Sequence, residues 1–295
     1  MAANRTPIIA RSHKARKRVN HSALVVVMSV VFALYCLVIF IPYVYGIMVS
    51  FESDYEYQNT IFPAFRSFEI KNYARAWTDL SDRGTSVLAM LGNSLWYAVG
   101  SVAINSIASM MGAYVCAKYR FPGRRLIHGF AVVAMMIPII GAQASQLQFL
   151  RALGGYDSPM YILVMISAVG GTFIILYAAF RSIDWGYAEA AFIDGAGHWR
   201  VFFQVMVPQV ISPISALALS DFISCWANTD TPLIFFPDLP TLASGLYSYQ
   251  KVVETYNNYP VYYAGLFMCM LPTVILFTIF HNKMMDIQIG GGLKG

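Results

Sequence analysis

Hydrophobic residues fall along this chain in long, nearly uncharged runs separated by shorter polar stretches. A helix that crosses a bilayer needs about 20 mostly apolar residues. Six runs meet that length: roughly Ala23 to Ser50, with Pro42 as a kink; Val87 to Ala117; Leu126 to Leu147, with Pro138 inside it; Pro159 to Phe180; Pro208 to Asn228; and Val261 to Phe280. The pattern predicts an all-α, polytopic membrane protein. A short tail over 1–22 precedes a six-helix domain over 23–281, and a second tail covers 282–295. One structured polar island, 182–208, lies between the fourth and fifth runs.

Composition supports this reading. The 295 residues are 58% hydrophobic and 12% charged, against about 45–50% apolar and about 25% charged in soluble domains. The net charge of +5 does not call for nucleic acid, because the cations are sorted by side. Fourteen of the twenty Lys and Arg fall in the N-terminal tail, the second-to-third loop, the fourth-to-fifth loop and the C-terminal tail. The positive-inside rule then puts both termini and the polar island in the cytoplasm. The basic stretch Arg11 to Arg18 precedes an apolar run too long for a signal core, so an uncleaved first span is expected. Cys36, Cys116, Cys225 and Cys269 have no paired spacing and read as small buried hydrophobes.

Small residues recur at four-residue steps, at Ala108, Gly112 and Cys116 and again at Ser167 and Gly171. Such spacing lets helix backbones approach closely within lipid. Two external segments remain. Glu52 to Ser86 carries Phe68, Tyr73, Ala76 and Trp77 at near-helical spacing, which fits an amphipathic cap, either an ordered surface loop or a docking surface. Thr229 to Pro260 carries Phe235, Phe236, Tyr247, Tyr249, Tyr256 and Tyr259, which fit an interfacial aromatic belt or a surface for a sugar or partner.

Within the island, Asp184 is placed to accept from free backbone N–H groups at the start of a short helix. Trp185 to Ile193 then reads as about two helical turns, made slim by Ala188, Ala190 and Ala191. Gly195 stands where the chain must turn. His198 to Val207 forms a second helical piece, with Trp199, Phe202, Phe203 and Met206 greasy enough for the membrane surface, and Pro208 suits the first turn of the fifth span. A helix shaped to enter a partner's groove and an amphipathic loop resting on lipid both fit these residues.

The order Glu189-Ala190-Ala191, three residues, Gly195, nine residues, then Val205, Val207 and Pro208 resembles the cytoplasmic EAA loop of ABC-importer permeases. Asp194-Gly195-Ala196 is similar to the form seen in carbohydrate importers. Further likenesses are Asn93-Ser94, Tyr119-Arg120-Phe121-Pro122-Gly123, Met136-Ile137-Pro138 and the Gly291-Gly292-Leu293-Lys294-Gly295 ending, which resembles the MalG-type subunit. Two features depart from the family pattern: Asp184 stands where a proline often opens the coupling helix, and Gln143 to Gln146 occupy a region where a second proline is common.

The resemblance implies a type I ABC-importer permease fold and a heterodimer with a MalF-type permease. It also implies two cytoplasmic ATPase subunits that bind ATP and Mg, and an external solute-binding protein that delivers a sugar. Glu189, Ala190, Ala191, Asp194, Gly195 and Pro208 would couple to an ATPase, and Leu293, Lys294 and Gly295 would reach between the ATPases. The chain itself would be no enzyme and bind no cofactor: it has no Gly-x4-Gly-Lys-Ser/Thr loop to cradle nucleotide phosphates.

For the translocation path, Asp221, Ser224 and Asn228 fall at i, i+3 and i+7, one helix face. An acid at that depth lines a path, bonds between helices or sits near the outer interface. Gln143 and Gln146 would line the same space, their neutral amides suiting sugar hydroxyls. A polyol or glycerol-phosphate-like solute is the alternative cargo. An ion-coupled secondary transporter with Asp221 as its coupling acid, and a structural or signalling membrane subunit, are the rival classes.

Overall fold

The computed structural model describes residues 23–60, 62, 67–137 and 141–290, with side chains between 25 and 279. Its backbone divides into two units, Met1–Gly46 and Ile47–Gly295. Helix α1, Ala23–Ser50, supplies all the described part of the first unit, is apolar throughout and carries Pro42.

The second unit is built almost wholly of helices. Two short ones, α2 (Asp54–Asn59) and α3 (Lys71–Asp79), precede the 32-residue α4 (Val87–Lys118). Then come α5 (Arg124–Met136), α6 (Gln143–Ala152), α7 (Tyr161–Val164) and α8 (Gly171–Ser182). The island contains α9 (Gly186–Ile193), α10 (His198–Arg200), a π-helical segment (Val201–Met206) and α11 (Val207–Gln209). The chain ends with α12 (Ile211–Trp226), α13 (Asp230–Phe235), α14 (Leu242–Tyr256) and α15 (Tyr259–Gly290).

Three described helices are long and apolar enough to cross a membrane: those of the first, second and sixth runs. The fifth run is bent. His198–Gln209 and Ile211–Trp226 meet at 79°, so the span starts at Ile211 and Pro208 belongs to the arm that leads into it. The third and fourth runs are not single helices. The 13 residues of α5 rise about 20 Å, short of a hydrocarbon core of about 30 Å. The fourth run is helical only at its ends, α7 and α8, with irregular backbone from Met165 to Gly170 between them. Apolar length alone does not distinguish one helix from two pieces joined by a break.

Two packed regions organise the unit. At one end, Ala113, Tyr114 and Cys116 of α4 meet Ala131 of α5, Phe173, Leu176 and Phe180 of α8, and Val201, Phe202 and Met206 of the π segment. Phe202 and Met206 are therefore core residues, while Trp199 and Phe203 stay exposed. At the other end, α3, α4, α12, α14 and α15 share a core around Met90, Trp226, Tyr249 and Val261. Phe235 and Phe236 pack with Tyr97 and Leu150. Burial of Phe235, Phe236 and Tyr249 corrects the expectation of an interfacial belt there, whereas Tyr247 and Tyr256 remain exposed.

Polar pins fix that second end. Ser94 Oγ accepts from the Leu242 N–H at 2.8 Å, and Asn93 Nδ2 donates to the Pro240 carbonyl at 3.0 Å. Thr241 and Ser244 close a capping box at the start of α14. Asn72, buried on α3, donates to the carbonyls of Ser50 and Glu52 at 3.0 and 2.8 Å. The cap read from Phe68, Tyr73, Ala76 and Trp77 thus has Ala76 inside and Trp77 largely outside.

Candidate functional site

The island holds a short helix with both ends locally closed. Asp184 Oδ1 accepts the Gly186 N–H at 2.6 Å, satisfying one of the first free donors of α9. At the other end the Gly195 N–H donates to the Phe192 carbonyl at 3.0 Å, and the Ala196 N–H to the Ala191 carbonyl at 2.9 Å. These two bonds are the Schellman closure, which needs a residue in the left-handed region between helix and exit. Gly195 supplies it with φ +82°.

One face of α9 is seated and the other is open. Ala188 is fully buried, whereas Glu189, Ala190 and Asp194 are exposed and Ile193 is 85% exposed. The seat is aromatic. Tyr119 stands edge-on to Trp185 at 5.8 Å, Phe192 to His198 at 5.0 Å, and Tyr114 packs on Phe180 and Phe202 at 5.4 and 4.9 Å. Two polar ties add direction: Lys118 Nζ donates to the Ile183 carbonyl, and Tyr119 Oη meets His198 Nδ1 at 2.8 Å. Through this seat α9 is joined to the ends of α4 and α8. The π segment that follows runs directly into Pro208, which has no N–H to give and would crowd the Gln204 carbonyl in a regular helix.

A second site lies inside the bundle. A cavity of about 250 Å³ is lined by polar groups of α4 (Ser101, Asn105, Ser109), of the break before α8 (Ser167), and by Thr172, Asp221 and Ser224. Irregular backbone at membrane depth is tolerated where it is buried in protein or lines a wet cavity. Here side chains of α4 serve it: Asn105 Oδ1 accepts the Ser167 N–H at 2.8 Å, and Ser109 Oγ donates to the Ser167 carbonyl at 3.2 Å. Thr172 Oγ1 reaches Asp221 Oδ2 at 3.5 Å. Asp221 is the one acidic side chain in this lining.

The structure brings together Asp221 and Ser224 and separates the other path candidates from them. Helix α12 ends at Trp226, so the i+7 step no longer places Asn228 on its face. Asn228 instead accepts the Thr231 N–H at 2.8 Å, from the first turn of α13. Gln143 and Gln146 lie exposed on α6, outside the cavity lining. Sequence reasoning missed Ser101, Asn105, Ser109 and Thr172. A signal was present: Ser94, Ser101, Asn105 and Ser109 fall at steps of seven, four and four along α4. The pair Ser167 and Gly171 was read as helix packing; Ser167 lies in the break. Leu293, Lys294, Gly295 and Pro138 lie outside the described residues. Among the described residues, no group of three or more His, Cys, Asp and Glu is disposed to hold a metal ion.

Comparison with known proteins agrees with this geometry. Residues 104–284 match the family described as binding-protein-dependent transport system inner membrane component. The chain is 30% identical over 254 residues to the diacetylchitobiose uptake system permease NgcG of Streptomyces coelicolor, covering 85% of this chain and 82% of that one. It is 26% identical over 288 residues to the trehalose/maltose transport system permease MalG of Thermococcus litoralis, covering 95% and 99%. In fold it is similar to a chain of a bacterial ABC transporter involved in alginate import, with a TM-score of 0.74, 22% identity and coverage of 94% and 99%. With its apolar helices and its match over most of the chain, this protein belongs to the binding-protein-dependent transport system inner membrane components: it is a membrane-embedded permease subunit of an ABC importer, a transport component and not a catalyst.

Proposed function

We propose that this protein is the MalG-type half of a permease pair that admits a sugar or oligosaccharide delivered by an external solute-binding protein. Its partner is a MalF-type permease, and two ATPase subunits, which hold ATP and Mg, drive the pair from the cytoplasm. The observation that carries the reading is α9, an eight-residue helix locked at both ends, seated on one side and open on the other. Glu189, Ala190, Ala191 and Asp194 form the part offered to an ATPase, Gly195 closes it, and Pro208 marks the elbow into α12. The tail Leu293, Lys294 and Gly295 completes the contact. The positive-inside bias puts this face, with both termini, in the cytoplasm of the inner membrane.

The mechanism follows from the connections. When the ATPases close, a push on α9 passes through Trp185, Phe192 and His198 to the ends of α4 and α8. The π segment and the 79° elbow pass it to α12, which carries Asp221 and Ser224. The cavity around them is lined by hydroxyl and amide groups, partners suited to sugar hydroxyls. Its lining offers one acidic side chain and no Lys or Arg to pair with a phosphorylated solute. That argues for a neutral saccharide over a glycerol-phosphate-like cargo. Relatives whose names specify cargo include an arabinooligosaccharide permease of Bacillus subtilis and a trehalose permease of Mycobacterium tuberculosis.

The test is Glu189→Lys in the assembled complex, reconstituted with its binding protein. Assembly and ATP binding should persist, while uptake falls by about tenfold or more, the scale of a lost coupling between sites. Wild-type uptake in this variant would sink the coupling role. A panel of saccharides titrated against the cognate binding protein would identify the cargo, and failure of every saccharide to bind would overturn the sugar assignment.

A further inference from the structure

We propose that the cleft between α5 and α8 is a binding site for the headgroup of an anionic membrane phospholipid. Arg124, Arg125 and His128 of α5 and Tyr177 and Arg181 of α8 line a cavity of about 330 Å³. The two helices meet here, with Ala131 fully buried between the packed elements and the His128 and Tyr177 rings 4.5 Å apart. Three guanidinium groups thus converge on one small space from two helices.

These cations have no carboxylate partner among the described residues. The described ion pairs are Arg75 with Asp54 and Asp79, and Arg83 with Asp238, all in the segments at the opposite ends of the spans. The Arg124 guanidinium donates to the Tyr119 carbonyl, at 3.3 Å. Asp184, the acid that follows α8, accepts from the Gly186 N–H. Three like charges drawn into one cleft repel one another, and a phosphate accepts from several guanidinium forks at once.

The surroundings select a lipid. Arg124 and Arg125 open α5 and Arg181 lies in the last turn of α8, so the cleft sits where two apolar helices leave the bilayer. Further along the same face of α5, at i+4 and i+7 from His128, Val132 and Met135 are 38% and 58% exposed. A free phosphate or an acidic protein surface would satisfy the arginines and leave those side chains uncovered. Acyl chains attached to the same headgroup cover them. Basic pockets at this depth, between spans, suit anionic headgroups. The inference depends on membrane embedding and not on the cargo or on the role of α9.

The test uses the whole transporter complex, purified in detergent and stripped of lipid, with bound lipid counted by native mass spectrometry. Phosphatidylglycerol should be retained about tenfold or more over phosphatidylcholine, and Arg125→Gln with Arg181→Gln should abolish that preference. The paired variants Arg125→Lys and Arg181→Lys should keep a preference, separating charge from misfolding. Equal retention of the two lipids, or a Gln pair that binds phosphatidylglycerol like the wild type, would overturn the proposal. So would displacement of phosphatidylglycerol by an equal concentration of inorganic phosphate, which would make this a free-anion site. Binding seen only after the ATPases are removed would assign the arginines to that partner instead.

Discussion

Helix α9 turns Glu189, Ala190 and Ile193 outward and hides only Ala188, whereas α12 turns Asp221 and Ser224 inward onto a polar cavity. The two regions solve opposite problems. Helix α9 keeps its shape while touching the protein on one side alone. It does so with local bonds: the Asp184 carboxylate at one end, the Gly195 closure at the other. The cavity needs polar groups gathered at membrane depth, and no single segment supplies them. They come from α4, the break before α8 and α12. The short exposed helix is closed by neighbours in sequence. The polar cavity is assembled from segments up to 123 residues apart in number, Ser101 and Ser224.

Substitutions can break this contrast. The largest effect is expected at Gly195→Pro. It removes the N–H that bonds Phe192 and replaces a φ of +82° by one fixed near −65°. Uptake should fall to background and ATP hydrolysis should lose its dependence on loaded binding protein, with the chain still inserted. Retained uptake would show that the closure is dispensable.

Next comes the seat. Phe202 is 3% exposed and packs on Tyr114 and Phe203, so Phe202→Ala should destabilise the complex by about 3 kcal/mol through the cavity it leaves. Thermal unfolding in detergent would measure this, and an unchanged midpoint would mean the seat is not a packed core. Unlike Gly195→Pro, this change should lower the amount of assembled transporter.

Asp221→Ala should act differently from both, leaving assembly intact. Uptake is expected to drop by roughly fivefold, the scale of one lost polar contact of about 1 kcal/mol. Asp221→Asn should lose less, since the amide oxygen can still accept from Thr172. Unchanged uptake and unchanged substrate-stimulated ATPase in both variants would remove Asp221 from the path.

The smallest effect is expected at the Arg83–Asp238 pair. Arg83 donates to Asp238 at 2.8 Å, and this bond holds the exposed carboxyl below the usual range. A depressed carboxyl favours the folded form above its ordinary pKa of about 4, and that benefit fades as pH falls through the folded value. Burial pushes neighbouring Asp157 the other way, and partly offsets it. Asp238→Asn should lower the unfolding midpoint slightly at pH 7, and the difference should shrink as pH falls below about 4 and through the lower folded value. A difference that grew on acidification would reverse this sign.

How legible each region was in the sequence follows from the same contrast. Asp184, Gly195 and the slim Ala188–Ala191 stretch were readable because each acts on backbone within a few residues. Phe202 and Met206 were placed at the membrane surface by their apolarity. Whether lipid or protein covers such a side chain depends on where α4 and α8 end, and a greasy residue fits either.

The lengths and order of the apolar runs, the side on which cations gather, and the start and stop of α9 were determined by the sequence alone, because hydrophobic transfer, charge sorting and helix closure are local or compositional. Only the tertiary structure decided that the third and fourth runs are broken, that α12 stops before Asn228, and that Gln143 and Gln146 lie away from Asp221. In a chain this apolar a break is invisible to hydropathy. It persists because the side chains of Asn105 and Ser109, about 60 residues earlier, satisfy the backbone of Ser167, and that partnership exists only once the helices have packed.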